Sequence, residues 1–269
     1  MMNLRVILLL LLVLVSFREV SGQTRQYQFA RIDVNDGLSH NLVNDFLKDS
    51  RGFMWFATAS GLNRYDGYSF KVFQNIPGDT SSILVNDVSR IFEGPFGNIW
   101  LFTHSGNNVY NPESETFHRN TNALLRKLSV ADGLITYIKK DVSGNFWFVH
   151  YNQGLFRYNP KSKTTARVAY EPGNEKGISS PSISEVEGDR DGNLWIIHNN
   201  GVFEMLDGRT LEITYRNTTL RDRFHGQTFE YSLTVDSDGD LWMFNNSNNG
   251  CFYFDHSEKG LRPINLGTP

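Results

Sequence analysis

Residues 49–66 read DSRGFMWFATASGLNRYD, and four more copies of this pattern follow along the chain. The copies read EGPFGNIWLFTHSGNNVYN at 93–111, DVSGNFWFVHYNQGLFRYN at 141–159, DRDGNLWIIHNNGVFEMLD at 189–207 and DSDGDLWMFNNSNNGCFYFD at 236–255. Successive tryptophans lie 45, 47, 48 and 47 residues apart, and each has a glycine three positions before it. The pairs are Gly52 and Trp55, Gly97 and Trp100, Gly144 and Trp147, Gly192 and Trp195, and Gly239 and Trp242. Because these are all five tryptophans of the 269 residues, the chain is an internal repeat.

The pattern inside each copy predicts four short strands. An apolar, alternating segment comes first, a tight turn with glycine follows, and the tryptophan lies on the next strand. A second glycine turn leads to a third strand, and a more polar fourth strand closes the unit. In the fourth copy Met205 stands where the other copies have an aromatic residue, so the sequence supports the third strand less well there. The predicted units cover residues 42–74, 85–120, 134–170, 182–216 and 228–266.

Burial of the apolar side chains requires these sheets to pack on one another. Each large apolar side chain stabilises a fold by about 1.5–3 kcal/mol only when it is removed from water. Twisted sheets repeated at this interval pack around an axis, with the tryptophan between neighbours and its indole N–H in need of a partner. We therefore predict an all-β fold, a β-propeller of four-stranded antiparallel blades with five blades present. A helical solenoid is disfavoured because the only helix-like interval is residues 123–130.

The bulk composition excludes several classes of protein. The net charge is −3 and the isoelectric point is about 6.2, so no basic surplus indicates a nucleic-acid partner. Cys251 is the single cysteine, which cannot form an intrachain disulfide and is expected to lie buried in a strand.

The N-terminus has the pattern of a secretion signal. Arg5 precedes an unbroken apolar run at residues 6–15, and small residues follow at Ser21 and Gly22. The run is shorter than the roughly 20 residues that a membrane span needs. We predict a signal peptide over residues 1–22, a periplasmic location, and contact with the membrane only through this segment. The alternative is that the segment is retained as an N-terminal anchor.

Two stretches resemble a known family. The opening DGLSHNLVND at 36–45 and the copy at 52–67 are similar to the two-component regulator propeller repeat, and the resemblance covers about residues 27–266. In that family the repeats build two seven-bladed periplasmic propellers, and a membrane span and a histidine kinase follow. The resemblance implies the periplasmic sensor region of hybrid two-component system histidine kinases of Bacteroidetes, which respond to polysaccharide breakdown products.

The resemblance and the strand count together predict an incomplete propeller. Residues 27–33 are predicted to form a strand before the first blade, and propellers commonly close by lending such a strand to the last blade. The fifth copy already has a fourth strand near residues 261–266. We expect a part of a seven-bladed propeller, truncated before the membrane span and the kinase. The alternative is a closed five-bladed ring.

Metal sites are not expected. The motifs at 189–192 and 236–240 resemble the start of a calcium loop, but their glycine recurs in copies that lack the paired aspartates, so tight turns are predicted. The slot three residues after each tryptophan holds Thr58 and Thr103 as well as histidine, which argues against a zinc site. We expect no metal, no cofactor and no catalytic residue.

A binding surface is expected on the face where the loops after the tryptophan strands converge. These loops supply amide, imidazole and aromatic groups suited to an oligosaccharide. The candidate ligand-binding residues are His104, Asn107, His150, Tyr151, Asn152, His198, Asn199, Asn245 and Asn246.

The sequence therefore predicts a non-catalytic, ligand-sensing module of a two-component signalling receptor, with an oligosaccharide as ligand. A homodimer formed through the propeller, or through regions outside this chain, is a further expectation. The alternative is an exported propeller enzyme that acts on glycans or resembles the streptogramin lyases. A converging acid and base pair near the axis would favour the enzyme.

Overall fold

The computed structural model describes Phe29, residues 31–245 and residues 250–265. The chain divides into two compact units, Met1–Ile32 and Asp33–Pro269. The predicted signal segment lies outside the described residues, and so do three of the seven residues of the predicted strand at 27–33. The described residues of this stretch are not assigned to a strand. Within the described ranges, no helix combines the length and the apolar composition that a membrane crossing requires.

The second unit consists of five four-stranded antiparallel sheets, each with its strands in chain order. Blade 1 has β1 (Val43–Lys48), β2 (Met54–Thr58), β3 (Gly61–Tyr65) and β4 (Phe70–Phe73). Blade 2 has β5 (Arg90–Glu93), β6 (Ile99–Thr103), β7 (Gly106–Asn111) and β8 (Thr116–His118). Blade 3 has β9 (Ile135–Lys140), β10 (Phe146–His150), β11 (Gly154–Asn159) and β12 (Thr164–Val168). Blade 4 has β13 (Ile183–Gly188), β14 (Leu194–His198), β15 (Phe203–Leu206) and β16 (Ile213–Asn217). Blade 5 has β17 (Tyr231–Val235), β18 (Leu241–Asn245), β19 (Cys251–Asp255) and β20 (Gly260–Ile264).

The predicted all-β propeller fold is confirmed. The described helices are short, and they are α1 (Asn122–Lys127), α2 (Thr219–Arg223) and two single 3₁₀ turns at Val34–Asp36 and Pro95–Gly97. The helix-like interval found in the sequence therefore becomes one short helix between blades 2 and 3. Cys251 is buried at the start of β19.

The turn before each tryptophan strand requires its glycine. All five of these glycines have positive φ angles, of 94°, 69°, 85°, 87° and 90° in chain order. Residues other than glycine rarely adopt this backbone conformation, which explains why glycine recurs at the same place in every copy. The turns at 189–192 and 236–240 are tight turns of the same kind. In each of them, the first aspartate accepts hydrogen bonds from backbone N–H groups of its own turn.

Neighbouring blades are joined by four clusters of buried side chains in the described part of the chain. They lie between blades 1 and 2, 2 and 3, 3 and 4, and 4 and 5. The tryptophan of each of the first four blades is almost fully buried in one of them, and that of blade 5 is half-buried. The first four tryptophans therefore lie where the burial argument placed them, and the burial of each contributes about 1.5–3 kcal/mol.

Two sequence-based details are wrong. In the other blades, an aromatic residue pairs with the residue before the tryptophan. In blade 4 this position is occupied by Leu206 and not by Met205. Met205 pairs with Trp195 itself, so β15 keeps its register and forms normally. The first strand of blade 2 begins at Arg90 and not near residue 85, because the preceding segment buries Ile83 and Val88 between blades 1 and 2.

Candidate ligand-binding site

A cavity of about 740 Å³ opens where the first strands of blades 2 to 5 begin. Its wall is formed by the starts of β5, β9, β13 and β17, by the end of β6 and the start of β7, and by the turns that follow β10 and β14. The first strands of neighbouring blades lie side by side, so four blades contribute to one concave surface. This volume lies within the range of typical small-molecule sites.

The segments that lead into this wall are held by buried polar side chains on the third strands. In blade 2, Oδ1 of Asn108 accepts a hydrogen bond from the backbone N–H of Leu84 over 2.6 Å. In blade 4, Oε2 of Glu204 accepts one from the backbone N–H of Ser179 over 3.2 Å. Asn108 and Glu204 are both fully buried, so their hydrogen bonds are made in a low-dielectric environment and fix the loops firmly.

Four of the nine predicted ligand-binding residues line the cavity. They are Asn107, Tyr151, Asn152 and Asn199. Tyr151 keeps 66% of its surface exposed, and its ring is available for stacking.

The other predicted residues lie elsewhere. His104 is exposed in the turn after β6. Asn245 ends β18 and pairs with the lining residue Tyr231 but does not itself line the cavity. Asn246 lies outside the described residues.

Two of the three histidines predicted to bind ligand, His150 and His198, are instead hydrogen-bonded inside the protein. Nε2 of His150 lies 3.0 Å from the carbonyl oxygen of Asp132. Nε2 of His198 lies 2.8 Å from Oε2 of Glu204, and both side chains are fully buried. Burial raises the pKa of Glu204, but hydrogen bonds from His198 and Arg216 outweigh burial, so this pKa lies below its ordinary value.

Arg90 is a cavity residue that the sequence pattern did not predict. Its Nη2 donates a hydrogen bond to Oε1 of Glu185 over 3.1 Å, and its Cζ lies 4.9 Å from the ring centre of Tyr137. Oε2 of the buried Glu185 accepts a hydrogen bond from the backbone N–H of Leu233 over 3.0 Å. The guanidinium is thus held by residues of blades 3 and 4, while 42% of its side chain stays exposed. The prediction considered only the turns after the tryptophan strands, whereas Arg90 starts a first strand.

Asn107 contributes an amide to the same wall. Its Oδ1 accepts a hydrogen bond from the backbone N–H of Ile135 over 3.0 Å, which joins blades 2 and 3. Its Nδ2 is buried and has no hydrogen-bond partner among the described residues. The residue is 92% buried, with 8% of its surface exposed, so its orientation in the wall is fixed.

Further along the first strands, charged groups pair between blades. Nζ of Lys139 on β9 lies 2.7 Å from Oε2 of Glu187 on β13. Burial raises the pKa of Glu187, and the charge of Lys139 opposes this effect. Burial and the charge of Glu185 raise the pKa of Tyr137, so its hydroxyl remains protonated at neutral pH. Within residues 31–245 and 250–265, no group of three or more His, Cys, Asp or Glu side chains is arranged to hold a metal ion.

Comparison with known proteins identifies the repeat. Residues 37–60 match the family model described as two component regulator propeller. The match covers 24 of the 269 residues and shows a likeness to this repeat in blade 1. The matched residues include the tryptophan of blade 1 and the glycine before it, which are the residues that recur in all five copies. A histidine kinase, P4, of Formosa agariphila is 38% identical to this propeller chain over 73 residues, which are 26% of the chain and 5% of the kinase.

Solved structures share the propeller fold. The extracellular domain of a one component system from B. thetaiotaomicron superimposes with a TM-score of 0.62 at 21% identity, over 90% of this chain and 34% of that one. Virginiamycin B lyase from Staphylococcus aureus, crystallised with quinupristin, superimposes with a TM-score of 0.54 at 16% identity, over 91% of this chain and 74% of that one. At these identities the likeness shows the fold alone. The chain spans about a third of the extracellular domain and a twentieth of the kinase.

Proposed function

We propose that this propeller is the ligand-sensing module of a two-component signalling receptor, exported to the periplasm, and that its ligand is an oligosaccharide bound without chemical change in the cavity of blades 2 to 5. In this proposal residues 1–22 are the signal peptide. The receptor's membrane span and kinase lie outside the chain, and a homodimer transmits the change on binding.

The cavity wall carries this proposal. It combines an exposed aromatic ring, Tyr151, with neutral hydrogen-bonding side chains such as Asn152, Asn199 and Ser182. Sugar rings offer C–H faces that pack on aromatic rings and hydroxyl groups that pair with amides and hydroxyls. A wide cavity open at one face suits a ligand of several sugar units.

A glycan-library screen on the purified chain tests the proposal. We expect at least one oligosaccharide to bind, and Tyr151→Ala to weaken its affinity about tenfold, which corresponds to about 1.4 kcal/mol. The matched control is Tyr68→Ala, because Tyr68 is 95% exposed on blade 1 and lies outside the cavity lining. Isothermal titration calorimetry measures both variants. A screen without any bound glycan, or a Tyr151→Ala protein that binds normally, would count against the assignment.

The same experiment separates a sensor from an enzyme. After prolonged incubation, mass spectrometry should recover the bound oligosaccharide unchanged. Cleavage products that accumulate with time would instead indicate an exported enzyme.

A further inference from the structure

We infer that the cavity selects oligosaccharides that carry a carboxylate group and that Arg90 is the residue which binds this group. The inference rests on the proposed function, since it specifies which sugars the same site takes.

The hydrogen bonds of Arg90 leave donors for a ligand. A guanidinium has five N–H donors in a planar fork. Across the described part of the chain, the side chain of Arg90 makes one hydrogen bond, from Nη2 to Glu185. The remaining donors belong to a side chain that lines the cavity, and two parallel N–H groups match the two oxygens of a carboxylate.

The guanidinium is also oriented before any ligand arrives. Its Cζ lies 4.9 Å from the ring centre of Tyr137 and 5.4 Å from that of Phe92. Glu185 is anchored in turn by the backbone of blade 5. A side chain fixed by two rings and a buried carboxylate loses little conformational freedom on binding, so its hydrogen bonds contribute fully to affinity.

Glu185 pairs with one side of the guanidinium, and a ligand that covers the exposed side removes the water which solvates the rest of the group. The wall already offers neutral amides, among them Asn152 and Asn199, which suffice for sugar hydroxyls. Partial burial of a guanidinium carries a desolvation cost that an amide does not. Charge-assisted hydrogen bonds are about twice as strong as neutral ones, so a carboxylate offsets this cost where a hydroxyl does not.

The one other charged residue among those lining the cavity does not oppose this assignment. Glu230 lies before β17 on blade 5 and is exposed to solvent, so its charge is screened by water and salt. Arg90 lies on blade 2, and its negative neighbour Glu185 is buried behind it. The cavity therefore presents its fixed positive group at the wall between blades 2 and 3.

Calorimetry with matched sugars tests this inference. The probes are trigalacturonate, triguluronate and trimannuronate, each paired with its carboxyl-reduced neutral counterpart, and one sulfated galactose trisaccharide as a second kind of anion. We expect at least one uronate to bind tenfold or more tightly than its reduced form and more tightly than the sulfated sugar. Arg90→Gln should remove this preference, with less than a twofold change for the neutral sugar.

Two further proteins separate binding from folding. Arg64→Gln is the matched control, because Arg64 also pairs with a carboxylate, Glu115, between blades but lies outside the cavity lining. It should keep the uronate preference. The double variant Arg90→Gln, Glu185→Gln leaves no unpaired buried carboxylate, so it should fold and still lack the preference.

The outcomes distinguish the inference from the proposed function. Equal binding of acidic and neutral sugars, a preference for the sulfated sugar, or an unchanged preference in Arg90→Gln overturns the role of Arg90 while oligosaccharide binding stands. If no uronate binds but neutral glycans from the library do, the inference again fails alone. If neither binds, both fail.

Discussion

In blades 1, 2, 3 and 5, the residue six positions before the tryptophan determines how the indole N–H is paired. Asp49, Asp141 and Asp236 accept this hydrogen bond in blades 1, 3 and 5, over 2.8, 3.0 and 2.9 Å. Blade 2 has Gly94 there, and a Cβ atom on it would lie 2.4 Å from Nε1 of Trp100. The indole fills the space that an aspartate would need, and its N–H has no hydrogen-bond partner within the described residues. The sequence predicted the need for a partner, but the aspartate was interpreted as a turn residue only.

Asp141 is therefore expected to contribute more to the free energy of unfolding than its position in a turn suggests. It bonds the indole of Trp147 and both the backbone and the side-chain nitrogen of Asn145. Asp141→Ala should lower the free energy of unfolding by about 1–3 kcal/mol, because it leaves buried donors without acceptors. Urea denaturation measures this loss. The control is Asp191→Ala in the equivalent turn of blade 4, where the exposed side chain should contribute less than about 0.5 kcal/mol. Equal losses in the two variants would contradict this role.

At the scale of the strand, the third strands do more than complete their sheets. Asn63, Asn108 and Glu204 occupy equivalent register positions in blades 1, 2 and 4, each paired with the residue after the tryptophan. Each accepts a hydrogen bond from the backbone that precedes the first strand of its blade. Strand alternation alone does not reveal this function, because a polar residue in a half-buried strand is equally compatible with solvent exposure.

Glu204 should make the stability of the protein depend on pH. Its pKa is lowered in the folded state, so its contribution is present above its ordinary value of 4.5 and is lost as the pH falls through the folded value. Glu204→Gln should cost about 1–3 kcal/mol at pH 7. Between about pH 5 and about pH 3 the wild type should lose more stability than this variant. Thermal unfolding across this range tests the difference, with Glu258→Gln, an exposed carboxylate near the C-terminus, as a control that should follow the wild type. Parallel curves for Glu204→Gln and wild type would refute the assignment.

At the scale of the whole molecule, the sequence predicted the blades better than the cavity. The period of the tryptophans and their glycines was sufficient to predict five sheets, because turn geometry and burial are local requirements. The cavity depends on which side chains of different blades lie next to one another. The spacing of residues along a single sequence does not reveal these contacts. Asn107, Tyr151, Asn152 and Asn199 were found because they follow tryptophan strands, whereas Arg90 was missed because its partners lie 47 and 95 residues away.

Glu185 should stabilise several blades at once. It pairs with Arg90 of blade 2 and with the backbone of Leu233 in blade 5. Its counterpart Asp45 accepts hydrogen bonds from two backbone N–H groups, those of Phe46 beside it and of Ile91 in the next blade. Glu185→Ala should reduce the free energy of unfolding by about 2–3 kcal/mol, and Asp45→Ala by about 0.5–1.5 kcal/mol. Chemical denaturation of both variants provides the comparison. A smaller loss for Glu185→Ala than for Asp45→Ala would show that the pairing with Arg90 contributes nothing.

The cavity wall is assembled from four separate blades, and this has a thermodynamic consequence. A molecule that fits the wall has affinity only for chains in which all four blades are in place, so mass action favours the assembled state whenever it is bound. At a free concentration of about one hundred times its dissociation constant, such a molecule would add about 2.7 kcal/mol to the stability of the native chain. Excised single blades should show no affinity, and the melting temperature of the intact chain should report occupancy without any label.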